Sequence, residues 1–400
     1  MYKPELKSLL TEVPGGTPSS RIVRVLSERG ALSGTQIANI LGLAKSTVST
    51  TLTELRKSGV VVDGVAPVAS RSTGAGRPAS AVMLNPEAGT VVGLLIGLEH
   101  IQLIVADVSH AVLADKKVEL DADFSPDEAM AIVQRLIREA YAELGISSDT
   151  MLGIGVAVGG PINPTNGRIM RAGAIPTWEG VDVHRLFETA LGRPIYADNV
   201  SKCWAIAEMM WGAARGVEDF VYVLIDFGVG GAIVSRGHLI DGVAGAAGEF
   251  GHMTIDPKGD LCRCGNRGCW ELYAGFKGAT ALASKRFGRP MGIVDVINLA
   301  KKGDVGCRRL IEDTAEAAGR GLAMVGAAIN PGLILIGGRL AMAGPIFFDP
   351  LESSFDKYAL VKRHDVEPEA RTRIVPASML ENGACMGAVG LVLRHYGKRL

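Results

Sequence analysis

The sequence has no stretch apolar enough to lead the chain through a membrane. Its first residues, Met1-Tyr2-Lys3-Pro4-Glu5, bring in charge at once, and no apolar segment of signal-peptide length follows. The longest apolar region, Val91 to Val105, is broken by Glu99 and His100, so it falls short of a bilayer span and reads as buried strands. Cysteine is scarce: six in 400 residues, three of them crowded between Cys262 and Cys269. That spacing excludes a disulfide framework and points to a reduced compartment, so the expected location is the cytoplasm, with no membrane partner. Net charge is also missing, but the zero conceals an asymmetry. Residues 1–85 carry ten Lys/Arg against five Asp/Glu, and the remainder thirty-two against thirty-seven. A small basic head on a mildly acidic body fits a polyanion-binding module joined to a small-molecule-binding one. A hydrophobic share of 48% and a charged share of 21% are enough for two or three packed domains.

The head reads as three helices and a hairpin. Ile22, Val23, Val25 and Leu26 form the apolar side of a first helix ending near Gly30; Ser33 and Gln36 have the spacing of a capping box, opening a second that stops at Gly42. A third starts near Lys45 and puts Val48, Leu52 and Leu55 on one side at i, i+4 and i+7. Ala38, Gly42 and Val48 have helix-turn-helix spacing: a small residue for close approach, a glycine for the turn and an apolar lock. Strands at Val60–Val62 and Ala81–Leu84 then frame a wing through Arg71 and Gly76-Arg77-Pro78. The expected partner is a double-stranded DNA operator. Ser46, Thr47 and Thr50 would face base edges, Lys45, Arg56 and Arg71 the phosphates, and Arg77 the minor groove. An ordinary three-helix bundle with a flexible linker is the competing reading.

After Leu84 strands and helices alternate with glycine at the turns, an α/β pattern. Val91–Ile96, Gln102–Val108, Leu152–Val158 and Pro194–Ala197 read as strands of one sheet; Val221–Ile225, Gly231–Val234, Thr254–Ile255 and Leu333–Ile336 as strands of another. Helices fit at Pro126–Leu144, His184–Leu191, Lys202–Trp211 and Arg308–Ile329. Two similar halves predict a ligand cleft. The boundaries are an arm or extra helix over 1–18, a winged helix-turn-helix over 19–85 and an effector domain over 86–400. The last comprises a first lobe of about 86–200 plus the C-terminal helix and a second of about 201–385.

The most specific constellation is His252 followed by Cys262, Cys264 and Cys269. One imidazole and three thiolates fill a tetrahedral zinc with no open position, so the expected zinc is structural. Cys203, Cys307 and Cys385 read as small core residues. Glu249 and Glu271 flank the metal group, where carboxylates suit the hydroxyls of a polyhydroxylated ligand or serve only the metal ligands.

These pieces resemble the ROK family of bacterial repressors, open reading frames and sugar kinases. The resemblance is carried by the Cys-x-Cys-Gly-x-x-Gly-Cys loop with His252, Ala247-Gly248-Glu249-Phe250-Gly251-His252, Gly159-Gly160-Pro161-Ile162-Asn163, Trp178, Asp198-Asn199 with Glu208, and Leu333–Gly338. It implies an actin-like, two-lobed sugar-kinase fold, a duplicated ribonuclease H-like architecture, beneath the winged helix that marks the family's repressors. It also implies a sugar or sugar derivative held by Gly160, Asn199, Glu249, His252 and Glu271, with His252 serving metal and ligand from opposite ring nitrogens.

The kinase parts are expected to be missing. In the family's kinases the asparagine is followed by the aspartate that deprotonates the sugar; here it is followed by Val200, which cannot be a base. The first phosphate turn, Asp-x-Gly-Gly-Thr in kinases, is Leu95-Ile96-Gly97-Leu98-Glu99, and the second is Asp226-Phe227-Gly228. Both place an anion where phosphate would sit. The resemblance implies a non-enzymatic repressor released from DNA by its ligand; closure of the cleft in a homodimer or dimer of dimers is the expected switch. Because Val200 offers an apolar wall, the expected ligand lacks a hydroxymethyl at that end, as a pentose does, or carries that oxygen already modified. An active sugar kinase with a DNA-binding head is the alternative.

Overall fold

The computed structural model describes residues 4–12, 16–64, 81–120, 124–171, 175–362, 365–379 and 381–396. The chain divides into two compact units: 1–159, 166–203 and 384–400 form the first, and 160–165 with 204–383 the second.

The first unit opens with α1 (Pro4–Thr11) and α2 (Pro18–Arg29), whose start is set by Thr17 accepting from Ser20 N and by Pro18 in its first turn. A short strand β1 (Leu32–Ser33) leads into α3 (Gly34–Leu41), where the capping box forms as read: Ser33 N donates to Gln36 Oε1 at 2.8 Å and Gln36 N to Ser33 Oγ at 3.2 Å. Gly42 closes α3 in the left-handed conformation at φ 63°. Helix α4 (Lys45–Lys57) follows, with Val48, Leu52 and Leu55 buried. Strands β2 (Val61–Gly64) and β3 (Ala81–Leu84) pair antiparallel, and β1 adds to β3. The expected wing tip with Arg71 and Arg77 lies outside the described residues.

Beyond the head the unit builds a five-stranded sheet from β4 (Thr90–Ile96), β5 (His100–Asp107), β6 (Val112–Glu119), β7 (Met151–Val158) and β8 (Ile195–Asn199), in the order β6-β5-β4-β7-β8. Strand β4 runs antiparallel to β5 and parallel to β7. Both β4 and β7 are apolar and buried along nearly their whole length, as strands covered on two faces must be. Helix α5 (Pro126–Leu144) is started by a Ser125–Glu128 capping box and stopped by Gly145; α6 (Val183–Leu191) follows β7. The C-terminal helix, Gly383–His395, lies on this sheet with no side chain between at two points. A methyl group on Gly93 or Gly155 would collide with the carbonyls of Cys385 or Ala388, so only glycine allows the approach.

Helix α7 (Val200–Met210) carries the chain into the second unit. Its sheet is built from β9 (Phe220–Ile225), β10 (Val229–Ser235), β11 (His238–Leu239), β12 (Leu333–Gly337) and β13 (Arg373–Pro376), in the order β11-β10-β9-β12-β13. The topology repeats that of the first sheet: an antiparallel meander of three, then two strands added parallel to the first. Against it packs an apolar core that includes Trp270, Ile311, Leu322, Phe347 and Leu351. Thr254–Ile255 is not a strand of this sheet. A 3-10 turn at Phe250–His252 redirects the chain, and Thr254 makes only an isolated bridge to Cys269.

Candidate metal and ligand centre

The turn at Phe250–His252 and the loop Cys262–Cys269 converge in the second unit. The loop is folded on itself, with Cys262 N donating to Asn266 O at 2.7 Å and Gly265 N to Cys262 O at 2.9 Å. Gly268 has φ +61° and a Cβ there would strike the carbonyl of Asp256, so the last bend admits only glycine. Next to it, Trp270 is fully buried and donates from Nε1 to Ala317 O at 2.9 Å, which pins the loop to the long helix Val305–Ile329. The ligating atoms of His252, Cys262, Cys264 and Cys269 all lie within 4.8 Å of one another, an arrangement that could hold a metal ion. Burial, with the Glu271 carboxylate beside it, pushes the Cys262 thiol up, and burial pushes Cys269 up to about 11. Thiols so crowded need a cation to ionise together.

His252 faces two ways. Its Nδ1 is 3.8 Å from Cys262 Sγ and 3.7 Å from Glu271 Oε1, while Nε2 is 3.9 Å from Glu249 Oε2. The imidazole thus presents one nitrogen to the cysteines and the other to Glu249. Glu271 is buried at the start of a short helix, Glu271–Ala274, and its Oε2 lies 3.2 Å from Arg263 Nη2. Gly160, in the left-handed conformation at φ 90°, also belongs to the second unit. Asn199 ends β8 in the first unit, where it is buried and accepts from Ser201 N at 2.7 Å. Asp198 beside it is 3.5 Å from the buried Lys202. Glu208 is fully buried and holds the backbone N–H groups of Ala213 and Met379, each at 2.7 Å, a loop-fixing role. Trp178 is buried with its ring edge-on to Phe124. Cys203, Cys307 and Cys385 are buried apart from the cluster, and burial raises the pKa of each.

The two expected phosphate turns differ in what surrounds their acids. Glu99 is exposed on the bend between β4 and β5. Asp226, after β9, is clasped by Arg339 from the turn after β12: Nη2 lies 2.6 Å from Oδ1, and Arg339 N donates to Oδ2 at 2.9 Å. Its charge is therefore neutralised internally, which the sequence reading missed; the signal was an arginine directly after Gly337-Gly338. The Phe227 ring has Arg263 at 5.8 Å and Lys277 at 5.4 Å over it.

In the head, Lys45, Ser46 and Thr50 are exposed on α4, and Thr47 is partly so. Arg56 is exposed but engaged, its Nε and Nη2 bonding Asp63 Oδ1 at 3.1 and 2.8 Å.

A profile of the ROK family matches residues 91–395, and one of the bacterial regulatory protein, arsR family, matches residues 20–62. The chain belongs to the ROK family. Among its relatives, the xylose repressor of Bacillus subtilis (strain 168) is 26% identical over 376 residues, 94% of each chain. The glucokinase of Thermotoga maritima is 26% identical over 279 residues, 66% of this chain and 86% of its own. A solved ROK family transcriptional regulator, homologous to E. coli Mlc, superposes with a TM-score of 0.75 at 22% identity, covering 95% of this chain and 96% of that one. The two-lobed ROK fold with a helical head is thereby that of this chain. Among the described residues no helix is long and apolar enough to cross a membrane.

Proposed function

We propose that this ROK protein is a cytoplasmic, DNA-binding transcriptional repressor that a sugar or sugar derivative releases from its operator. One observation carries the reading: the xylose repressor relative matches the chain through its helix-turn-helix segment and body alike, whereas the glucokinase matches about two thirds of it. The exposed Lys45, Ser46 and Thr50, with the half-exposed Thr47, meet the operator, and Arg71 and Arg77 are assigned to it from the sequence.

The metal is zinc. A Zn–S bond of about 2.3 Å implies tetrahedral edges of roughly 3.8 Å; the Cys264–Cys269 sulfurs are 3.6 Å apart and Cys262 Sγ is 3.8 Å from His252 Nδ1. Bound there, zinc supplies cross-linking and charge neutralisation with no open position. His252 would take it through Nδ1, leaving Nε2–H as a donor on the Glu249 side. Glu249, His252 and Glu271 hold ligand hydroxyls; Gly160 and Asn199 are assigned to the ligand by the family resemblance.

The body does not phosphorylate its ligand. Val200, half-buried at the start of α7, cannot accept a proton, and the Asp226–Arg339 clasp occupies the second phosphate turn. Val200 also favours a pentose, consistent with a relative named for xylose. A homodimer would span half-sites about 34–36 Å apart, one helical turn of DNA. The test is fluorescence anisotropy of an operator duplex titrated with D-xylose, D-glucose and their N-acetyl and phosphorylated relatives. Release by at least one supports the reading; an operator that stays bound across the panel defeats it.

A further inference from the structure

The turn Asp226-Phe227-Gly228 has lost its kinase chemistry, yet each of its residues is engaged. Asp226 is held by Arg339. A Cβ on Gly228 would stand 2.7 Å from Glu271 Oε2 and 3.3 Å from Arg263 Nη2, so the bare backbone here makes room for that ion pair. The guanidinium of Arg263 lies over the Phe227 ring, 5.8 Å from its centre, while Nη2 bonds Glu271 Oε2 at 3.2 Å. Arg263 sits between two cysteines of the metal group, so its backbone is fixed at the root. The two oxygens of Glu271 are thus committed differently. Oε1 faces Cys262 Sγ at 3.1 Å and His252, and Oε2 faces Arg263. Once zinc takes the Cys262 thiolate and His252 Nδ1, neither can donate to Oε1, so Oε1 keeps lone pairs for a ligand while Arg263 holds the carboxylate through Oε2.

We infer that Arg263 is a positioning residue for effector recognition: seated on Phe227 and Gly228, it fixes the Glu271 carboxylate in the orientation that ligand hydroxyls require. The inference rests on the ligand role given to Glu271 above. A guanidinium suits the task because its charge-assisted bond is directional and its flat face stacks on a ring. Without it, Glu271 would regain rotamers and repay that freedom on binding.

The experiment uses the full-length protein loaded with zinc. Calorimetry measures D-xylose and D-glucose binding to the wild type, Arg263→Ala, Arg263→Lys, Glu271→Gln and the Arg263→Ala/Glu271→Gln double variant, alongside zinc content and unfolding midpoint. Arg263→Ala should weaken binding on the order of tenfold with zinc content and midpoint unchanged, and Arg263→Lys should recover only part. On the Glu271→Gln background, removal of Arg263 should change affinity less than about twofold. Gly228→Ala, which displaces the pair without touching the loop, should weaken binding in the same way. The inference is overturned if Arg263→Ala binds like the wild type, if it loses zinc, or if the double variant is clearly weaker than Glu271→Gln, which would put Arg263 on the ligand itself. A wild type that binds neither sugar nor their N-acetyl and phosphorylated relatives is a separate result: it defeats the ligand reading and this inference with it.

Discussion

The hydroxyl of Ser27, on the second helix, donates to the backbone carbonyl of Leu393, in the last helix, at 2.7 Å and out of contact with water. His110 joins them from the bend after β5, its Nε2 lying 2.8 Å from Ser27 O. The head is therefore bonded to the body of its own unit by residues 366 positions apart. Ser27→Ala removes the donor and leaves the arrangement otherwise intact. Stability should fall by about 1 kcal/mol, and amide exchange across Pro18–Arg29 should quicken while sugar affinity stays put. Unchanged exchange in that helix would show that the bond does not hold the head.

Metal removal should act on the fold before it acts on DNA. Cys264→Ser, or a strong chelator, is expected to strip the zinc and destabilise the second unit by at least about 4 kcal/mol, the scale of losing a structural metal. Atomic absorption and thermal unfolding on the same samples check it. One zinc per chain in the wild type, and a stable variant lacking it, would reduce the metal to an ornament of the loop.

Restoring a carboxylate at the position of the missing base should not restore a kinase. In Val200→Asp the acid would stand at the head of α7, but Arg339 would still close the turn at Asp226. Coupled detection of ADP release is expected to stay at background with every sugar tested. Turnover by this single variant would mean that the base alone had been lost.

On DNA, two cations of α4 should separate. Lys45→Ala should lower the salt dependence of operator binding by about one unit of slope, as loss of one phosphate contact does. Arg56 is engaged by Asp63, so Arg56→Ala should change that slope less. Anisotropy titrations at a series of salt concentrations measure both, and equal slopes for the two variants would contradict the assignment.

Much of this was legible because local chemistry and fold agree. Ser33 with Gln36 and Pro126 with Gly145 mark helix ends by the bonds and angles they make, and three of the four metal ligands lie in one short loop. What was hidden depends on pairing at a distance. Strand β6 alternates exposed and half-exposed residues around Asp115, Lys116 and Lys117 at the sheet's edge, so it lacks the apolar rhythm of its neighbours. The helix Pro345–Tyr358 carries Pro350 inside it, a residue that argues against a helix until packing overrides it. Arg339 and Asp226 are 113 residues apart, so the arginine after Gly337-Gly338 marks the pair only once the fold brings the two turns together. Phe227 sits in the turn that binds phosphate in kinases; its use as a platform for Arg263 and Lys277 appears only in three dimensions.

The glycines beneath the C-terminal helix give the protein an unusual genetic vulnerability. Gly93 and Gly155 let that helix's backbone rest directly on the sheet, and its far end, at Leu393, is what Ser27 grips. A frameshift or stop codon after Gly383 would spare every metal ligand, every proposed sugar contact and all of the recognition helix. Such an allele should nonetheless behave like deletion of the whole gene, because the sheet would lose its cover and the head its foothold together.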